Sequence, residues 1–107
     1  MSVLLEFSMF PTSDNCREGS SVSKQVAKIV DAIDKSGVAY QLTPMGTVVE
    51  TNTMREALDI IELAYEQVSG CERVYSSLKF DIRKNSDDRL KTKIKSVESN
   101  LGREVQK

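Results

Sequence analysis

The sequence predicts an α+β fold on the ferredoxin-like βαββαβ plan, a two-layer sandwich, with an extra C-terminal helix. Three observations carry this. Two β-rich runs, Val38 to Thr43 and Thr47 to Thr51, flank Pro44-Met45-Gly46. Proline withholds a ladder donor and glycine accepts backbone angles other residues resist, so the three read as a hairpin connection. Apolar residues recur at helical spacing on both sides of that hairpin, and a run of strand character lies beyond each helix. The order strand, helix, hairpin, helix, strand is a split βαβ, with an expected spatial strand order of 4-1-3-2.

The first strand spans Val3 to Phe10. Val3, Leu5, Phe7 and Met9 share its apolar face, and Leu4, Glu6, Ser8 and Phe10 the mixed one. Pro11 ends it, and a polar loop follows. The first helix is expected from about Ser21 to Ser36, with Val22, Val26, Ile29, Val30 and Ile33 at helical spacing and Gly37 placed to terminate it. Ser20, Ser21 and Ser23 stand at its start. Serine is a preferred cap; the alternative is that this end holds a phosphate or sulfate.

The second helix is expected from Met54 to about Ser69. Thr53-Met54-Arg55-Glu56 fits a capping box. Met54, Leu58, Ile61, Tyr65 and Val68 form its expected buried stripe, widened by Ala57 and Ala64. In the last strand Val74, Ser76, Leu78, Phe80 and Ile82 face one way. Arg73, Tyr75, Ser77, Lys79, Asp81 and Arg83 face the other. Ser86 is placed to cap the C-terminal helix, with Leu90, Ile94, Val97 and Leu101 as its stripe, Lys91, Lys93 and Lys95 as a solvated face, and Gly102 as its end. That stripe needs a surface, either its own sheet edge or a neighbouring subunit.

At 107 residues the chain makes one domain, residues 1–107, with a modest core. Fifteen basic against sixteen acidic residues give a net charge of −1, which favours neither nucleic acid nor an anionic membrane. No apolar run is long enough to span a membrane, and no signal-peptide segment opens the chain, so a cytoplasmic location is expected. Cys16 and Cys71 form no CxxC pair and read as reduced, incidental thiols. The absence of histidine removes the commonest general base. An RNA-recognition sheet would carry stacking aromatics in its third strand, and Gly46 to Thr51 has none. An acyl-phosphate hydrolase would need an arginine in a phosphate-cradling loop, and Arg17 lies in no such motif.

The chain resembles the small YkoF-like thiamine-binding proteins. The matching features are the first strand with Ser8 and its closing Pro11, Ser21-Val22-Ser23 opening helix one, Ser36-Gly37-Val38-Ala39-Tyr40, Pro44-Met45-Gly46-Thr47-Val48-Val49-Glu50, and Arg73-Val74-Tyr75. They span roughly Val3 to Arg83. Two departures stand out: Thr51 where the family usually has glycine, and Thr43 where it often has histidine. The resemblance implies non-catalytic binding of thiamine or its hydroxymethylpyrimidine moiety, with no cofactor or metal. It also implies a homo-oligomer, a tetramer built from dimers through the sheets. An aminopyrimidine pairs an amino donor with a ring acceptor, which hydroxyls such as Ser8 and Thr47 and a carboxylate such as Glu50 can satisfy. A thiazolium cation favours Glu6 or Glu50 and the face of Tyr75. Ser23 and Thr43 complete the expected ligand set, placed on the open sheet face near the hairpin. The alternative functions are an interaction tetramer without this ligand and a small acyl-phosphate hydrolase.

Overall fold

A computed structural model of the chain describes residues 1–17 and 22–107. Its strands are β1 (Ser2–Pro11), β2 (Ala39–Thr43), β3 (Gly46–Thr51) and β4 (Val74–Arg83), and its helices α1 (Ser23–Ser36), α2 (Met54–Glu66) and α3 (Arg89–Leu101). The four strands form one antiparallel sheet in the order β2-β3-β1-β4, as the split βαβ requires. This is the ferredoxin-like fold with an added helix.

The alternation of β1 sets the two layers. Val3, Leu5, Phe7 and Met9 are buried beneath α1 and α2, joined by Val49 from β3 and by Ile29 and Ile33 from α1. Gly37 ends α1 in a left-handed conformation at φ 80°, which glycine reaches without steric cost. The expected Ser20 and Ser21 lie outside the described residues.

Helix α2 departs from its expected stripe. Thr53 Oγ1 accepts from the Glu56 amide at 3.1 Å, as a capping box predicts. The buried residues are Ala57, Ile60, Ala64 and Val68, however, while Leu58 and Tyr65 are 39% and 47% exposed. The two alanines bring the helix axis close to the sheet, which rotates the larger side chains to the flanks.

The cysteines are a second correction. Cys16 and Cys71 form a disulfide, with their Cα atoms 5.7 Å apart across 55 residues of sequence. The loops after β1 and after α2 meet at one end of the sheet. There Thr12 N–H donates to the Arg73 carbonyl (2.8 Å), Asn15 Nδ2 to Gly70 O (3.1 Å), and the Arg73 amide to Ser13 Oγ (3.2 Å). The thiols are therefore brought together by neighbouring backbone contacts that sequence spacing does not display.

Candidate functional site

Strand register decides which expected ligand residues can meet. Val49 pairs with Leu5 and Thr47 with Phe7, so Thr47 lies on the helix-covered face, where it is 6% exposed. Val48 pairs with Glu6 and Glu50 with Leu4, so Glu50 lies on the opposite, open face. Thr47 and Glu50 therefore cannot act side by side. Their odd spacing on one strand already carries that message, because alternate residues face opposite ways.

Glu50 has other work. Its carboxylate accepts from Ser2 Oγ, from the Arg89 amide at 2.9 Å and from the Leu90 amide at 3.2 Å. It caps α3 from a different element, satisfying amides that the first turn of a helix leaves unpaired. Ser86 does not fill that place. The residue before the helix is Asp88, at φ 52° with no side-chain cap of its own. Burial alone would raise the Glu50 pKa, but the Ser2 hydroxyl and the two amides outweigh it and hold the carboxyl below its ordinary value.

The remaining expected residues divide between two cavities. Ser8, Thr43 and Thr47 line a cavity of about 410 Å³ between the hairpin and α1, walled by Phe7, Met9, Val26 and Val30. It exists because β1 outruns β3. Their pairing stops at Phe7 and Thr47, and the chain turns away through Pro44-Met45. Gly46 makes the close approach at its rim, since a Cβ there would meet the Phe7 carbonyl oxygen at 2.7 Å. Thr43 is held by the turn. Its hydroxyl donates to Gly46 O (2.9 Å) and accepts from the Gly46 and Met45 amides. The Thr47 hydroxyl has no hydrogen-bond partner among the described residues and can serve a guest. Strand alternation sends the Ser8 side chain to the open face, so Ser8 borders this cavity without aiming its hydroxyl into it.

Glu6 instead lines a second cavity on the open face, together with Lys79. Tyr75 packs on Phe10, ring centroids 5.8 Å apart, and stands 55% exposed away from both cavities. Ser23 lies at the start of α1 beside Asn15, Cys16 and Val22, outside the hairpin cavity. Sequence reasoning missed Phe7, Val26 and Val30 as cavity walls. Their apolar periodicity reads equally well as core. Among the described residues no group of three or more metal-ligating side chains comes together.

The fold and its mostly apolar cavity define a small ferredoxin-like domain with an added helix. Sequence comparison then gives the family: the chain belongs to the family described as thiamine-binding protein, which matches residues 5–98. A UPF0045 protein of Methanothermobacter thermautotrophicus is 36% identical over 84 residues, covering 77% of this chain and 85% of the relative. The Methanocaldococcus jannaschii protein MJ1052 has a crystal structure that superposes with a TM-score of 0.74 at 32% identity, over 90% of this chain and 95% of that one. A Thermotoga maritima protein, proposed to act in thiamine biosynthesis or salvage, shares the fold with a TM-score of 0.72 at 19% identity, over 91% of this chain and 99% of that one.

Proposed function

We propose that the chain binds thiamine through its hydroxymethylpyrimidine moiety, without catalysis, in the cavity between the hairpin and α1. The observation that supports this is the Thr47 hydroxyl, uncommitted among the described residues, in a cavity whose other walls are mostly apolar. A neutral aminopyrimidine offers a donor beside an acceptor, and a hydroxyl can answer either. No lining side chain of the cavity is an acid or a base, so the thiazolium cation has no counter-ion there and stays at the mouth. The same absence supports binding over chemistry, because proton transfer needs a titratable group within reach. In this proposal Glu50 holds the fold and does not touch the ligand, while Glu6 and Tyr75 lie away from it.

Calorimetric titration with hydroxymethylpyrimidine and with thiamine tests this. Both should bind with similar affinity, since the pyrimidine carries the contacts. Thr47→Val keeps the shape and removes the hydroxyl. It should weaken binding by about 0.5–1.5 kcal/mol, the range of a neutral hydrogen bond, with the melting temperature unchanged. Full affinity in this variant would remove Thr47 from the site.

We further propose a homo-oligomer, a tetramer built from dimers, in the cytoplasm. No helix among the described residues is long and apolar enough to cross a membrane. The Cys16–Cys71 bond removes the thiol argument from the cytoplasmic expectation, so alkylation of these cysteines in rapidly quenched cells is the direct check. Dimer formation is supported by β4, an edge strand of ten residues on which Leu78 and Ile82 are 39% and 50% exposed. Unpaired edges of this length invite another strand. Two β4 strands pairing antiparallel about Phe80 would set Leu78 opposite Ile82, apolar against apolar. Val97 and Leu101, half exposed on α3, supply a second surface. Light scattering should show a tetramer. Ile82→Asp should break the β4 contact, and Leu101→Asp should leave dimers. A wild-type monomer at micromolar concentration would overturn the assembly.

A further inference from the structure

The open face of the sheet carries a cavity that the pyrimidine reading does not use. Helix α3 lies across one end of that face, leaving a groove of about 370 Å³ between helix and sheet. Its floor is Leu4 and Val48 and its wall is Leu90 and Ile94, so the body of any occupant meets apolar surface. Its charged groups carry one net positive charge, and Gln41 adds a neutral amide. Arg89, Lys79 and Lys93 line it against two carboxylates, Glu6 and Asp81.

Those charges are unequally committed. Asp81 is held by Arg89 Nη1 at 2.9 Å and by Lys93 at 3.1 Å. Arg89 is 2% exposed and spends its Nε and both Nη2 hydrogens on Ser2 Oγ, Ser2 O and Asp81 O. One Nη1 hydrogen is left without a partner among the described residues. Lys79 forms only a long ion pair with Glu6, at 3.6 Å, and is 81% exposed, so its ammonium can turn to a guest. The groove thus offers a pre-positioned guanidinium flanked by two ammonium groups beside a small apolar chamber. A carboxylate takes such donors well, and a desolvated guanidinium holds it in fixed geometry.

We propose that this groove is a second binding site, for a small organic anion with a flat apolar body. It lies across the sheet from the hairpin cavity, so its occupant and the pyrimidine do not compete. The test is a nitrogen-15 correlation titration of the full chain with benzoate, benzyl alcohol and benzylammonium. Benzoate should give saturable shifts at the amides of Leu4, Val48 and Ile94 and leave Thr47 and Val26 unmoved. It should bind about tenfold tighter than benzyl alcohol, as one charged hydrogen bond allows. Lys79→Gln combined with Lys93→Gln changes two exposed side chains, 81% and 59% accessible, and should erase that preference with the fold intact. The proposal is overturned by any of three results: no saturable shift with benzoate, a preference for benzylammonium, or shifts confined to Thr47 and Val26. Binding of hydroxymethylpyrimidine in the same sample reads the hairpin cavity independently, so the two proposals fail separately.

Discussion

Glu50→Ala should lower the unfolding free energy by on the order of 3 kcal/mol, read by urea denaturation, because it strips an acceptor from three donors at once. The Arg89 and Leu90 amides and the Ser2 hydroxyl would all lose their partner. Glu50→Gln retains one acceptor oxygen and should fall about midway. Amides in the first turn of α3 should exchange faster in both variants, while those of β1 stay protected. Hydroxymethylpyrimidine affinity should hold, since Glu50 lies on the other face of the sheet. Lost affinity with unchanged stability would return Glu50 to the ligand.

The same carboxylate gives a pH signature. Its folded pKa lies below the ordinary value of 4.5, so it binds its proton less readily folded than unfolded. The stabilisation is therefore fully present above about pH 4.5 and is lost as pH falls through the folded value. Asp81 shifts the same way, held down by its hydrogen bonds from Arg89 and Lys93, and its loss follows at lower pH, below its own ordinary value of 3.8. Stability of the wild type should drop below pH 4.5 more steeply than that of Glu50→Ala. Equal slopes would leave the Glu50 carboxylate without a linked role.

Periodicity made the sheet legible. Val3, Leu5, Phe7 and Met9 announce both the strand and its buried face, and the two helices with the hairpin between them fix strand order through topology alone. The phase of α2 was less visible, because Ala57 and Ala64 look weakly apolar in sequence and yet sit deepest, where small residues let the helix approach. Contacts between distant segments were not legible at all. The Glu50 cap joins residues 39 and 40 apart, and the disulfide spans 55. A sequence shows that a helix start needs an acceptor, but not that a strand residue will supply it. The candidate site was half legible for the same reason. Ser8 and Thr47 are recognisable as hydroxyls near the hairpin, whereas the register that sends them to opposite faces, and the cavity beside Thr47 where one strand outruns another, are not.

Arg89 tests the architecture of the open face most severely. A guanidinium that is 2% exposed has left water, and its hydrogen bonds to Ser2 and Asp81 compensate for that. Arg89→Met fills similar space with an apolar chain but leaves Ser2 Oγ and the Ser2 and Asp81 carbonyls without this donor, while the Asp81 carboxylate keeps Lys93. Asp81 is half exposed, so the cost falls on the Ser2 and Asp81 acceptors that lose their donor. A buried polar group left unpaired costs about 1–3 kcal/mol, and a loss on the order of 3 kcal/mol is expected in urea denaturation. Arg89→Lys should recover only part of it, because one ammonium cannot reproduce a planar fork that reaches four acceptors. A double cycle with Asp81→Asn separates the ion pair from the backbone bonds. If the carbonyl contacts dominate, Arg89→Met should cost nearly as much in the Asp81→Asn background as in the wild type. Helix α3 should detach first, seen as exchange of its amides while Ile29 and Val49 stay protected in the core. A loss under 1 kcal/mol would mean that α3 is held by Leu90 and Ile94 alone, and that the arginine is a passenger on the sheet.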